Sequence, residues 1–334
     1  MRKKGLTAIE LLNLQADCFI ISSSNLLTHA RREMPHKLAR YLIFFQYIGT
    51  KYSGVVKVPP HQLSKKGVQD HLEAAVLRLR PLNAPSLSVS SRTDTGVHAL
   101  CNSAHFDLQR KNKPPFTEEI LREALNFHLR EQSIRINHAV RVPSHFHSRY
   151  QAQSRTYVYR VALGPDKAQI PLSEAELCWN LGTTELDMDS MRSAAAMLVG
   201  THDFSSFRAI NSDLPFKNPV KTMDLISIQP GASFSSSHFH RHIPFCELKF
   251  KSKSFLYKQV RRMVGALVAV GTGRLSPLDL ERVKEARDSR AFPQGLAAPP
   301  QGLFLTHVEY RDADLQLPTT ISEDALSTNP DQNL

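Results

Sequence analysis

Apolar residues recur along this chain with two different periods, and the period switches from segment to segment. Residues 41–47 are a run of aromatic and aliphatic side chains that predicts a strand, with the ordered core beginning at Ala39. Gly49 and Gly54 bracket a turn. From Gly67 onward Val68, Leu72, Ala75, Val76 and Leu79 return at helical spacing, and Pro81 closes that helix. Residues 87–90 predict a short strand that runs into a loop over 91–97, and 104–108 alternate again. Thr117 is placed to cap a helix through Leu129, while 134–136 and 139–142 read as extended.

The second half repeats these kinds of element without a short-period repeat. Residues 155–161 alternate as a strand. Asp187 can cap a helix whose Met188, Met191, Ala195 and Leu198 share a face, with Gly200 as its stop. Cys246, Leu248 and Phe250 alternate with Glu247, Lys249 and Lys251, the pattern of a half-buried strand. Residues 255–270 carry a helical pattern and 302–308 a closing strand. Strands and helices interleaved in both halves predict an α+β protein of two sheet-bearing lobes, 39–150 and 151–312. Residues 1–38 are expected to be a leader or disordered tail and 313–334 a disordered tail.

Composition narrows the function classes. The 334 residues are 41% hydrophobic, enough for a sizeable core, and neither Gly 14 nor Pro 20 is high enough for a collagen-like or low-complexity chain. Lys+Arg 42 against Asp+Glu 31 gives a net charge of +11, which favours a polyanionic partner, nucleic acid or an anionic membrane surface. Cys18, Cys101, Cys178 and Cys246 lie far apart, so neither a zinc module nor a disulfide framework is indicated. No apolar run approaches the roughly 20 residues that span a bilayer. Arg2, Lys3 and Lys4 ahead of Ile9, Leu11, Leu12 and Leu14 have the character of an organelle-targeting segment, whereas Glu10, Asp17 and Glu33 count against one. The expected location is intracellular, cytoplasm or mitochondrion, with the balance toward the mitochondrion.

The segment Ser90-Ser-Arg-Thr-Asp94-Thr-Gly-Val-His-Ala99 gathers arginine, aspartate and histidine on one tight loop after a strand. A loop held by a rigid scaffold is a usual seat for catalytic groups. By residue type alone Asp94 fits a nucleophile, a general base, or a carboxylate that merely caps a turn.

That segment resembles the signature loop of the tRNA pseudouridine synthase A family, and the resemblance continues collinearly over about residues 40–310. It takes in Gly49-Thr-Lys-Tyr-Ser-Gly54, Gly67-Val-Gln69, Phe146-His-Ser-Arg149, Ser154-Arg-Thr-Tyr-Val-Tyr159 and His202-Asp-Phe-Ser-Ser-Phe-Arg208. It continues through Phe255-Leu-Tyr257 with Val260-Arg-Arg-Met-Val-Gly265, and Pro300-Gln-Gly-Leu-Phe-Leu305. The details are most similar to a vertebrate branch of the family. Ser91, Thr95, Ile48, Val55-Val-Lys57 and Lys221 depart from its usual residues without removing a presumed catalytic group.

The resemblance implies an RNA pseudouridine synthase acting on uridine in tRNA, with an RNA-binding cleft between the lobes and no metal or cofactor. It implies Asp94 as nucleophile, or as base in a glycal variant, held ionised and below its usual pKa by an ion pair with Arg261. Without it Arg261 reads as a phosphate contact or a solvated helix position. Tyr157 would stack on the extruded uracil and bring its hydroxyl to the proton transfer at C5, unless it is a core tyrosine on the same strand face as Tyr159. Arg92 would fill the space left by the flipped nucleotide or clamp its phosphate. Lys249, Lys251, Lys253, Lys258, Arg261 and Arg262 form a run without an acid that suits an RNA backbone, and Arg149, Arg155 and Arg208 are further phosphate candidates. His98 is expected near the RNA or in a structural role, like His145 and His147. His238, His240 and His242 could share a strand face, yet no acid or thiol at fitting spacing completes a metal site. The rivals are a binding protein that modifies nothing and a metal hydrolase using His98 with Asp94. A homodimer is compatible with the sequence.

Overall fold

The computed structural model describes residues 38–58, 65–164, 167–210, 218–234 and 243–317. The leader, most of the C-terminal tail and the triplet His238, His240 and His242 lie outside the described residues. Among the described residues the strands form one mixed sheet of ten. They are β1 Ala39–Tyr47, β2 Ser88–Val89, β3 His98–Leu108, β4 Ile134–Val142, β5 Ser154–Ala162, β6 Trp179–Asn180, β7 Gly200–Asp203, β8 Val220–Gly231, β9 Phe245–Ser252 and β10 Leu303–Glu309. The order is β4-β1-β3-β10-β5-β9-β8-β7, with β2 beside β3 and β6 beside β5. The pairings are antiparallel except β10 with β3 and β5 with β6. The chain is therefore α+β, as the interleaved periods predict, and β10 joins the strands of the first half to those of the second.

Alternation along the strands gives the sheet two different faces. Tyr157 stands opposite Leu305 on one side and Phe250 on the other, so these three point the same way. That face carries the main core, in which Tyr41, Phe45 and Phe106 pack with Leu72 and Leu121 from two helices, α1 (Val68–Leu77) and α2 (Glu118–His128). After the short α3 (Leu172–Ala175) come α4 (Met188–Ala196) and α5 (Gln259–Gly271), whose Met191, Met263 and Leu267 join the same core. The opposite face carries smaller clusters, one of them Leu42, Phe44, Val142 and Phe146.

Several boundaries differ from the sequence pattern. Helix α1 ends at Leu77, ahead of Pro81, and Arg80 turns the chain with φ 55. Gly200, expected to stop α4, instead begins β7 with φ 97, while α4 ends at Ala196. Residues 134–136 and 139–142 are one strand. Helix α6 (Pro277–Glu285) follows a capping box between Ser276 and Asp279, and one turn, α7 (Asp312–Leu315), follows β10. The largest shift is at α5: the apolar period starts at Phe255, but the helix starts only at Gln259, because Lys258 is left-handed with φ 56. Residues 255–258 are thereby freed from the helix.

Candidate active site

The loop between β2 and β3 is fixed from several sides. The Tyr47 hydroxyl lies 2.7 Å from Thr93 Oγ1, and Asn102 donates to the Ser91 carbonyl at 3.0 Å. The Val97 amide closes a turn on the Asp94 carbonyl at 3.1 Å, with Gly96 at φ 78. The loop after β1 leans on it as well: Val55 donates to the Thr93 carbonyl at 3.2 Å. Gly54 allows this approach, since its φ is 106 and a Cβ there would lie 2.7 Å from that same carbonyl oxygen.

Asp94 opens into a cavity of about 820 Å³ on the helix-bearing face. Among the lining residues it is the lone acid, against Arg92, Arg149, Arg155, Arg208, Lys253, Lys258 and Arg261. Arg261, in the first turn of α5, places Nη1 3.4 Å from Asp94 Oδ2 and donates from Nε to the Ala298 carbonyl at 2.8 Å. The helix sits close enough for this because Gly265 has no side chain; a Cβ there would fall 1.7 Å from the Leu296 carbonyl oxygen.

Burial pushes the Asp94 carboxyl above its ordinary pKa, and the charges of Arg261 and Lys258 pull it back only in part. This corrects the expectation that the ion pair holds Asp94 below its usual value. Desolvation outweighs a single contact at 3.4 Å, so the cation limits a rise that burial causes.

Tyr157 on β5 also lines the cavity, is 7% exposed and meets Phe255 edge-on with ring centroids 5.1 Å apart. Burial drives its phenol well above the ordinary range, so the hydroxyl carries its proton at neutral pH. Tyr159, two residues on, donates instead to the Pro299 carbonyl at 2.7 Å within the core.

The remaining predicted residues separate. Arg92 is exposed at the mouth, and Arg149, Arg208 and Lys253 also line the cavity. Arg155 is buried and spends its guanidinium on the framework. It donates to Ser91 Oγ at 3.3 Å, to the Ser90 carbonyl at 3.2 Å, to the Arg149 carbonyl at 2.8 Å and to the Lys253 carbonyl at 2.6 Å. Arg262, next to Arg261, turns away to the carbonyls of Ser206 and Arg208 at 3.0 and 2.8 Å and lies over Phe292. It thus holds the turn that carries Arg208. Lys249 and Lys251 alternate with Leu248 and Phe250 on β9, which puts them on the face away from Tyr157. Lys251 pairs there with Glu309 at 2.8 Å.

His98 is fully buried and outside the cavity lining. Nδ1 accepts from the Gly49 amide at 2.9 Å, Nε2 faces the Gln301 carbonyl at 3.1 Å, and the ring stacks on Phe304. Burial lowers its pKa to about 4, so it is a neutral tie between the entry loop and β10. This separates it from Asp94 and removes the geometry a metal hydrolase would need. Among the described residues, no cluster of His, Cys, Asp or Glu is suited to hold a metal ion. No helix among them is long and apolar enough to cross a membrane.

Phe255 and Tyr150 line the cavity although the sequence assigned a role to neither, Phe255 entering only as part of a family motif. Phe255 was hidden by a helical period that runs straight through it, and Tyr150 by lying in a turn without periodicity.

A family profile described as tRNA pseudouridine synthase matches residues 43–151 and 194–311. The chain is 50% identical over 279 residues to the tRNA pseudouridine synthase-like 1 of Xenopus laevis, covering 83% of this chain and 93% of that protein. It is 47% identical over 276 residues to the Homo sapiens protein of the same name, covering 81% and 90%. It is 36% identical over 273 residues to the tRNA pseudouridine synthase A of Dinoroseobacter shibae, covering 82% and 97%. The chain belongs to the tRNA pseudouridine synthase family, and its activity is that of a tRNA pseudouridine synthase, an isomerase.

Proposed function

We propose that the cavity receives a uridine extruded from tRNA and that Asp94 carries out its isomerisation to pseudouridine. The observation that carries this reading is a lone carboxylate in a cavity whose other charged side chains are cations. A polyanionic strand is attracted to such a mouth, and the one carboxylate able to act as nucleophile or base is among the residues that line it. Isomerisation breaks the bond from C1′ to N1 of the uracil, turns the base and forms a bond from C1′ to C5. The proton on C5 departs and N1 regains one, so nothing is oxidised or reduced. Asp94 acts either by attacking C1′ or by taking a proton from the sugar on the glycal route; both need its ionised form. Arg261 preserves that form against burial. Tyr157, protonated and edge-on to Phe255, supplies a ring to the uracil, and its hydroxyl relays the proton, accepting the one that leaves C5 as it gives up its own toward N1.

The finer architecture belongs to this proposal. Residues 39–150 and 151–312 act as two lobes with the RNA lying in the cleft between them. What supports it is that the cavity draws Arg92 and Asp94 from the first and Tyr157, Lys258 and Arg261 from the second. Arg92, Arg149, Arg208 and Lys253 meet the sugar-phosphate backbone.

The test is tritium release from an unmodified tRNA transcript labelled at C5 of uridine. Wild-type protein releases tritium. Asp94→Asn, which keeps the shape of the side chain but cannot act as nucleophile or base, falls to background while retaining RNA affinity and thermal stability. Measurable turnover by a purified, folded Asp94→Asn protein overturns the assignment.

A further inference from the structure

Residues 146–151 form a tight turn between β4 and β5. The Gln151 amide donates to the His147 carbonyl at 3.1 Å, the Arg149 amide to His147 Nδ1 at 3.2 Å, and Arg155 Nη2 to the Arg149 carbonyl at 2.8 Å. Phe146, Ser148 and Ala152 are buried. Tyr150, between them, is 73% exposed. One side of its ring rests on His147, with centroids 4.3 Å apart and planes at 36°, and His147 in turn meets His105 at 4.7 Å. A single exposed apolar side chain ordinarily needs no explanation. Among the described residues, however, Tyr150 is the only strongly exposed large apolar side chain that also lines the cavity. The Arg149 guanidinium stands 5.9 Å from its ring centroid.

We propose that Tyr150 is a stacking platform for the nucleobase next to the target uridine. The inference rests on the uridine-extruding site described above and adds a second nucleotide to it. A base turned out of its strand leaves its neighbour without a stacking partner, and an aromatic ring at the mouth replaces that partner. Every base presents a π-face, so the contact holds the strand in place without reading its sequence. The ring suits this because the turn and His147 fix it in advance, so little side-chain freedom is lost on binding. Arg149, one residue earlier, lies where the phosphate of the same nucleotide would pass. Tyr157 and Tyr150 then divide the work: the deep ring faces the reacting base, the rim ring its neighbour.

The experiment compares affinity for one unmodified tRNA transcript as a function of salt for wild type, Tyr150→Phe, Tyr150→Ala and Arg149→Gln. Stacking carries no counterion release, so Tyr150→Ala weakens binding by about tenfold with an unchanged log–log salt slope. Tyr150→Phe binds as wild type, and Arg149→Gln makes the slope shallower by about one unit. Equal melting temperatures show that the exposed position does not alter the fold. Wild-type affinity in Tyr150→Ala, failure of Tyr150→Phe to restore binding, or a slope change in Tyr150→Ala each overturns the proposal. Tritium release by wild type on the same transcript is followed in parallel. Its absence would defeat the assigned chemistry while the affinity series still judged the platform.

Discussion

Replacing Arg261 with methionine removes the nearest cation from Asp94 while keeping much of the side-chain bulk. At 3.4 Å the attraction is about 5 kcal/mol for an effective dielectric of about 20, an upper bound for this pair. The carboxylate keeps 24% exposure, and Lys258 still acts on it after the substitution. An adjacent opposite charge moves a carboxyl by about 1–3 pH units, and the lower end is expected here. The acidic limb of the single-turnover rate at saturating tRNA should therefore move up by about one unit, which is about tenfold in rate at any pH on that limb. Stability gives an independent sign. A carboxyl whose folded pKa lies above its unfolded value contributes stability below the unfolded value and loses it as pH rises through the folded one. Removing Arg261 raises the folded value further, so the drop in melting temperature against wild type should be larger at neutral than at acid pH. The lost bond to Ala298 contributes equally at both. If the limb stays in place at saturating tRNA and the variant is slower only through weaker binding, Arg261 is a phosphate contact and the ion pair has no part in the reaction.

Tyr157→Phe keeps the ring against Phe255 and should retain binding while single-turnover tritium release falls; Tyr157→Ala should lose both. Wild-type rates in the two variants would make Tyr157 a packing residue. Replacing Arg92 and Lys253 with glutamine should make the salt slope of tRNA binding shallower by about two units, one for each lost phosphate contact, whereas the same change at Lys249 and Lys251 should leave it unmoved. A larger effect from the second pair would place the RNA on the opposite face of the sheet.

The sequence showed the loop around Asp94 more clearly than its surroundings. Turn chemistry and an apolar strand are local signals, so the loop before β3, the caps at Thr117 and Asp187 and the alternation of β9 were all legible. What was not legible depends on contacts distant in the chain. Lys249 and Lys258 are equally cationic neighbours in sequence. Only the register of β9 against β5, and a left-handed backbone at Lys258, send one away from the cavity and bring the other into it. Arg155 and Arg262 look like phosphate ligands by residue type, yet carbonyls from separate loops take up their donors. His98 sits beside the reactive loop in sequence, but strand alternation turns it to the far side. The sign of the Asp94 shift was likewise beyond reach, because it weighs burial against charge, and the burial of a carboxylate on an aperiodic loop leaves no pattern in the sequence.

The position of β10 between β3 and β5 has a consequence for how the protein is made. His98 and Gln301, which meet beside this junction, are separated by 203 positions. Until that segment is synthesised, β3 at His98 and Ala99 and β5 from Ser154 to Tyr159 lack the partner that β10 supplies, and such open edges invite pairing with other chains. Contacts this distant in sequence close slowly. The nascent chain therefore passes through a long interval in which its two groups of strands exist without their connecting member and are prone to aggregate. A stop codon falling between Arg261 and Leu303 would leave both Asp94 and Arg261 translated and still yield no working enzyme, because β10 would be missing from between β3 and β5.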